Sequence, residues 1–290
     1  MNTLVDTYVA VNRLQLHVRD WGGPANGHAP VLMLHGLASN ARIWDWVAPL
    51  LAQSVRVVAL DQRSHGLSQP PADFDFSFDA ICSDIRDVIS ALGFERPALV
   101  GHSWGANAVV EFATRHPEAL SGAVMVDGGM APMSKRLTWE EAKSQLAPPR
   151  LAGTPLRRFR EMVKGFTGEL DSEALWQIIL GNFEILPDDT IRPHLPFDSH
   201  MKILRALWEQ NVEQLFSQVK CPALFLPCIP PQSAGEGEMQ YLQSKREGAA
   251  QAQRLMPQAR VEWLTDSIHD VPLQRPERVA ALIGEFVNRL

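Results

Sequence analysis

The sequence predicts one α/β domain, built on a parallel sheet with both faces covered and interrupted by a helical insertion. Three observations predict it. Short apolar runs alternate with helical patterns through residues 1–129, strand-like runs are missing from 130–219, and they return after 220. Buried parallel strands form short continuous apolar runs, and their alternation with helices is typical of βαβ units. A length of 290 residues fits one large domain or two small ones.

The apolar runs predict where the strands lie. They cover Val31–Leu34, 55–60, 97–100 and 121–126 before the insertion, and Ala223–Leu226 and 259–264 after it. Helical spacing of apolar residues predicts helices over 40–53, 78–92, 104–116 and 276–290. Gly93 ends the second of these helices, because glycine commonly terminates a helix.

The insertion divides the chain into two predicted parts. Residues 1–129 and 220–290 form the core, and residues 130–219 form a helical cap that is rich in Trp, Leu, Arg and Glu and broken by prolines. The cap follows the strand that ends near Asp127, so we expect it to cover the carboxyl ends of the strands. Ligands of open α/β sheets bind at those ends.

Composition excludes several classes of function. The formal net charge is −6, which disfavours nucleic acid as a partner because phosphate binding needs clustered Lys and Arg. No apolar run approaches the roughly 20 residues of a membrane span, and the first twelve residues do not resemble a signal peptide. The three cysteines do not form a disulfide framework, and no His or Cys pair has zinc spacing. We expect a cytoplasmic protein without metal or organic cofactor.

A serine lies in the motif Gly101-His102-Ser103-Trp104-Gly105, directly between a predicted strand and a predicted helix. This pattern is typical of a sharp turn that exposes a nucleophilic hydroxyl at the edge of a sheet. Ser103 is therefore the candidate nucleophile. Without the flanking strand and helix the motif would carry little weight, and a serine there could simply cap the helix.

Acyl transfer on Ser103 would need two N–H donors for the developing oxyanion. The backbone N–H of Trp104, the residue after the nucleophile, is one candidate. The loop His35-Gly36-Leu37-Ala38 follows an early strand and offers the second, most simply the N–H of Leu37.

His269 is the candidate general base. It lies between the last predicted strand and the last helix, and among the nine histidines it alone follows the insertion. The order nucleophile, acid, histidine is the one found in hydrolases of this topology. His102 lies inside the turn itself, where its side chain cannot serve the neighbouring serine.

These motifs resemble the α/β-hydrolase superfamily, in its capped, esterase-like form, over nearly the whole chain. The early His-Gly loop, the stretch Asp61-Gln62-Arg63-Ser64-His65-Gly66-Leu67-Ser68, the serine turn and the final histidine loop carry the resemblance. It implies an α/β-hydrolase fold, a mostly parallel sheet with flanking helices and a helical cap. The cap matches only by position and helical character.

The acid departs from the usual family pattern. The family usually places Asp or Glu after the strand that follows the cap, but here no carboxylate appears there until Glu236 and Glu238. Some family members place the acid after the strand that follows the nucleophile helix, and Asp127 stands at that position. Neighbouring strands would deliver Ser103 and Asp127 to the same edge of the sheet, so Asp127 is the candidate acid. Glu236 or Glu238, reached by a loop that folds back, and a site without an acid are the alternatives. A purely structural role for Asp127 would be that of a strand-end residue that stabilises the Gly-Gly turn.

The expected function is hydrolysis of carboxylic esters, lactones included, through an acyl-enzyme. Carbon–carbon bond or thioester hydrolysis by the same triad, and a weakly catalytic ligand-binding role, are the alternatives. The expected partner is a small ester-like molecule, and the sequence does not decide between a monomer and a homodimer.

The candidate substrate-contacting residues are His35, Gly36, Trp104, Trp139 and Phe183. The other cap aromatics could also wall an apolar pocket, but aromatics at helical spacing more often belong to the core; they are Phe159, Phe166, Trp176 and Trp208. Asp61, Arg63 and His65 are expected to build a loop, and Lys245, Arg246 and Glu247 a charged helix surface.

Overall fold

A central eight-stranded sheet organises the molecule in the computed structural model, which describes residues 4–24, 27–167, 172–231 and 235–290. The strand order is β1-β2-β4-β3-β5-β6-β10-β11. The strands are β1 Val5–Val11, β2 Leu14–Gly22, β3 Val31–Leu34, β4 Val57–Leu60, β5 Ala98–His102, β6 Gly122–Val126, β10 Ala223–Leu226 and β11 Ala259–Val261. Pairing is antiparallel from β1 through β2 to β4 and parallel from β4 to β11. The fold is thus the predicted α/β-hydrolase arrangement.

Helices cover both faces of this sheet. Those of the core are α1 Ala48–Leu51, α2 Phe78–Ala91, α3 Trp104–Arg115, α9 Glu236–Leu255, α10 Val271–Gln274 and α11 Pro276–Val287. Successive side chains of a strand point to opposite faces, so Leu32 and Leu34 pack with α2 and α3 while Met33 packs with α11. Burial on both faces explains why the strands are short, uniformly apolar runs.

Two predicted elements differ in the structure. The helix expected over 40–53 is split into a 3-10 turn, Ala41–Trp44, and the short helix α1. Asn40 caps the turn by accepting a hydrogen bond from the N–H of Arg42, and Pro49 is the second residue of the new helix, where its fixed φ is favourable. The strand expected over 259–264 ends at Val261, although Leu264 still forms an isolated bridge to Cys228.

The cap contains strands that were not predicted. Its helices are α4 Trp139–Leu146, α5 Leu156–Thr167, α6 Glu173–Leu180, α7 Phe197–Glu209 and α8 Val212–Leu215, and β7 Thr154–Pro155, β8 Phe183–Ile185 and β9 Thr190–Pro193 form a small antiparallel sheet. These strands are too short and too exposed to produce an apolar run, since Ile191 is their single fully buried residue among those described. Phe166 lies outside the residues whose side chains are described.

The end of the predicted cap packs with the core. Val212, Phe216 and Val219 belong to the apolar cluster that α3 forms with the sheet, and the ring of Phe216 meets that of Phe225 on β10 edge to face. Within the described ranges, no helix is both long enough and apolar enough to span a membrane.

Candidate active site

Ser103 occupies a strained turn between β5 and α3. Its φ of 55° and ψ of −121° lie outside the regions that side chains favour. The two flanking glycines make the turn possible. A Cβ on Gly101 would approach Gly105 to 2.3 Å, and a Cβ on Gly105 would approach the His35 carbonyl oxygen to 2.6 Å. The motif therefore serves close backbone packing, which holds the Ser103 hydroxyl out from the sheet edge.

The structure brings Ser103, His269 and Asp127 together. His269 Nε2 lies 2.9 Å from Ser103 Oγ, and His269 Nδ1 lies 2.7 Å from Asp127 Oδ2. In the tautomer that satisfies both contacts, Nδ1–H donates to the carboxylate and Nε2 accepts from the hydroxyl. The serine can therefore lose its proton to a base that a carboxylate orients.

Sheet order explains why Asp127 reaches His269. Strand β6 lies between β5 and β10, so Ser103 and Asp127 follow neighbouring parallel strands. The chain beyond Leu264 runs alongside the segment after β10, with the N–H of Ser267 donating to the Ile229 carbonyl at 2.9 Å, and delivers His269 to the same edge.

Glu236 and Glu238, the alternative candidates for the acid, do not contact His269. Glu238 Oε2 accepts the N–H of Gly235 at the start of α9, and Glu236 Oε1 accepts from Gln240. Both therefore serve the first turns of α9, and Asp127 is the carboxylate at His269.

Electrostatics favour a charged acid and a basic histidine. Burial alone would raise the pKa of Asp127, but the hydrogen bond and charge of His269, together with Lys245, hold it well below its usual range. The protein around the His269 ring disfavours the imidazolium, yet the hydrogen bond and charge of Asp127, aided by Asp270, hold the pKa of His269 above its usual value. About half of the His269 side chain is exposed, at 47%, and it faces the cavity.

His102 supports the site without acting as a base. Burial, followed by the nearby His269, lowers the pKa of His102 to about 4, so the ring is neutral near neutral pH. Its Nε2–H donates to the backbone carbonyl of His269 at 2.9 Å. This contact ties the histidine loop to the serine turn.

A cavity of about 410 Å³ opens at Ser103 Oγ, within the usual size range of small-molecule sites. Besides Ser103, Asp127 and His269, its wall includes Leu37, Trp104, Leu204, Leu207, Tyr241 and Ile268. Gly36 lies against the nucleophile, since a Cβ there would approach Ser103 Cβ to 2.9 Å. Leu37 and Trp104 thus both border the space in front of the serine. Their role as oxyanion donors stays a prediction.

His35, predicted to contact substrate, is fully buried beneath the early loop. Its Nδ1–H donates to the Gly36 carbonyl at 2.7 Å, and its Nε2 accepts the N–H of Gln62 at 3.0 Å. The ring therefore has no free nitrogen for a ligand. The ring supports the loop instead. Asp61 does the same, since it accepts the N–H of Ala41 at 2.6 Å.

Two predicted substrate contacts in the cap also lie elsewhere. Trp139 packs edge to face on Trp208, with Arg205 over both rings. Phe183 packs on Phe159 and lines a second cavity of about 420 Å³. The spacing of the aromatic residues along the chain did not reveal which rings line the cavity at the serine. The docking of the cap onto the core determines that.

Lys245, expected on a charged surface, is buried at 4% exposure. Its Nζ donates to Asp127 Oδ1 at 2.8 Å. A signal was present in the sequence: Leu242, Ala249 and Ala252 share a helical face with Lys245, and that face is buried. Apolar neighbours at this spacing mark the lysine as inward-facing.

Comparisons with known proteins agree with the fold. A family model described as alpha/beta hydrolase fold matches residues 29–163. The crystal structure of E-2-(acetamidomethylene)succinate hydrolase superposes with a TM-score of 0.78 at 21% identity, over 99% of this chain and 100% of that one. N-formylmaleamate deformylase of Pseudomonas putida is 25% identical over 97% of this chain and 95% of that protein.

A shorter match is more similar in sequence. A serine hydrolase-like protein of Danio rerio is 38% identical over 39% of this chain, and the aligned part spans only 34% of that relative. The family-model match contains the early loop and the serine turn, and the solved structures extend the likeness to the full sheet. On these findings the chain has the α/β-hydrolase fold.

Proposed function

We propose that the chain is a serine hydrolase that cleaves carboxylic esters, lactones included, through an acyl-enzyme on Ser103. The observation that carries the proposal is the hydrogen-bond chain from Asp127 through His269 to Ser103, which ends at the wall of a ligand-sized cavity. The substrate is accordingly a small ester-like molecule.

The geometry supports a two-step reaction. Ser103 Oγ attacks the carbonyl carbon while its proton passes to His269 Nε2, and the resulting oxyanion faces the N–H groups of Leu37 and Trp104. Collapse breaks the ester bond, and the leaving alcohol takes the proton from His269. Water then attacks the acyl group, again losing its proton to His269. The acid departs and Ser103 regains its proton.

The other candidate activities use the same side chains. Thioester and carbon–carbon bond hydrolysis differ from ester hydrolysis in the leaving group, which the cavity must accommodate. A purely ligand-binding role had one ground in the sequence, the lack of a carboxylate directly after β10. The 2.7 Å contact between Asp127 and His269 supplies a carboxylate and removes that ground.

Acyl-enzyme formation tests the proposal directly. The protein is mixed with p-nitrophenyl acetate, quenched in acid, digested and analysed by mass spectrometry. We expect release of p-nitrophenol and an acetyl group on the peptide that contains Ser103. Turnover without that adduct under rapid quench, or no reaction with oxygen esters and thioesters of several chain lengths, contradicts the proposal.

Hydrolysis of a carboxylate-bearing amide is the second candidate, and one cavity residue favours it. Arg136 lines the cavity with its guanidinium 5.1 Å from the centre of the Tyr241 ring. Among the described residues no carboxylate forms an ion pair with it, so this cation is available to an anionic substrate group. The names of both full-length relatives, a succinate hydrolase and a maleamate deformylase, denote such compounds.

Replacing Arg136 by glutamine tests whether the cavity binds carboxylate-bearing substrates through this arginine. We expect KM for a monoester or monoamide of succinate to rise by about ten- to one-hundredfold, because a charge-assisted hydrogen bond is lost. KM for p-nitrophenyl acetate should stay within about twofold of the original. The control is Arg158→Gln, an exposed cap arginine. An equal rise in KM for charged and neutral substrates would refute an anion contact at Arg136.

A further inference from the structure

Asp127 is held by three donors, of which His269 is one. The second oxygen of Asp127, Oδ1, accepts the backbone N–H of Cys228 at 2.7 Å and the ammonium of Lys245 at 2.8 Å. Asp127 is 1% exposed and Lys245 4%, so this ion pair lies in the interior of the protein. A buried ammonium is tolerated only when its charge and its donors are compensated.

The surroundings of Lys245 provide that compensation. Besides Asp127, Nζ donates to the Cys228 carbonyl at 2.8 Å and lies 4.6 Å from the centre of the Tyr241 ring. The ring face and the two oxygens therefore account for all three ammonium hydrogens. The lysine thus has a defined position, unlike a flexible surface lysine.

The helix that carries Lys245 is fitted closely to the core. A Cβ on Gly248, three residues farther along α9, would approach the Met130 carbonyl oxygen to 2.0 Å. Glycine in the middle of a helix is unfavourable, so its presence here indicates that close approach is needed. This contact seats α9 where the Lys245 side chain meets Asp127.

We propose that Lys245 is a positioning residue of the hydrolytic site: it orients the Asp127 carboxylate toward His269 and balances its charge. The proposal rests on the function proposed above and adds a fourth member to the hydrogen-bond chain, acting through Asp127 rather than on the substrate. An Asp–His pair without this cation would contain a more basic histidine.

The charges around Asp127 and His269 determine the direction in which the pKa of His269 changes when Lys245 is removed. Asp127 and Asp270 raise the pKa of His269, whereas Lys245 lowers it. The other titratable or charged groups near this cluster are His102, Cys228, Glu238, Tyr241, Arg136 and Arg275. The burial of Tyr241 raises the pKa of its phenol, so that ring is neutral and contributes no charge near neutral pH. Removing the ammonium therefore leaves His269 easier to protonate.

The test replaces Lys245 by methionine, which keeps the length but not the charge, and by arginine, which keeps the charge. In Lys245→Met we expect the acid limb of the pH profile of kcat/KM for p-nitrophenyl acetate to move up by about one pH unit. At pH values below the new midpoint, kcat/KM of Lys245→Met should be about tenfold lower than that of the original protein. Lys245→Arg should shift the limb by less than half as much. The control Arg246→Met removes an exposed cation from the same helix and should leave the profile unchanged.

A second measurement does not depend on turnover. The imidazole of His269 is titrated by NMR in histidine-labelled protein, with its signals identified by comparison with His269→Gln. We expect a higher pKa in Lys245→Met than in the original protein. If Lys245→Met remains folded by circular dichroism and neither the NMR titration nor the acid limb moves, Lys245 is merely structural and the proposal fails. If no ester is hydrolysed but the NMR pKa rises, the assigned activity fails and the role of Lys245 stands.

Discussion

Ester turnover is expected to fall by about 10⁵- to 10⁶-fold when Ser103 is replaced by alanine. The hydroxyl that lies 2.9 Å from His269 Nε2 is the atom on which the proposed acyl-enzyme forms. What remains would come from binding and oxyanion stabilisation, which do not require the nucleophile. The measurement is kcat for p-nitrophenyl acetate, with thermal unfolding recorded beside it.

The substitution Ser103→Ala should also leave the fold and its stability unchanged. The backbone of Ser103 has a positive φ that any residue with a Cβ adopts with strain, and alanine neither removes nor increases that strain. Ser90→Ala, an exposed position on α2, is the matched control and should retain full activity. Equal rates for the original protein and Ser103→Ala would exclude Ser103 as nucleophile for esters.

Replacing Asp127 by asparagine is expected to lower kcat by about 10⁴-fold. The amide of asparagine can donate to His269 Nδ1, which favours the tautomer protonated at Nε2, and that tautomer cannot accept the Ser103 proton. Because Asp127 holds the pKa of His269 up, the acid limb of kcat/KM should move to lower pH, opposite to the direction expected for Lys245→Met. The pH profiles of the two variants can be measured with the same ester.

The same substitution should cost stability. Lys245 would remain buried without its carboxylate partner, and breaking one side of a buried ion pair costs about 3–5 kcal/mol. Urea denaturation of Asp127→Asn measures this loss. Glu236→Gln, at one of the two glutamates that the sequence left open as acid, should change neither stability nor activity beyond experimental error. Activity within tenfold of the original in Asp127→Asn would mean that His269 does not need this carboxylate.

Much of the sheet and the serine turn could be predicted from sequence because their causes are local. Uniformly apolar runs follow from burial on both faces, as in Val31–Leu34, and the glycines around Ser103 follow from contacts within one strand–turn–helix unit. His269 could be chosen by its place in the chain order. Local pattern and chain order were enough to predict the fold class, Ser103 and His269, and they made Asp127 the leading candidate for the acid.

The remaining features required the three-dimensional structure, because they depend on which segments lie side by side. Asp127 meets His269 because β6 lies next to both β5 and β10, a neighbour relation that no local pattern encodes. The apolar neighbours of Lys245 on α9 indicate that it points inward, but its contact with Asp127 depends on the packing of α9 against the chain at Met130. Trp139 and Phe183 pack against other cap aromatics and do not line the cavity at Ser103, because the docking of the cap decides which rings do. Periodicity shows which face of an element is apolar, whereas long-range packing selects the partner that each face meets.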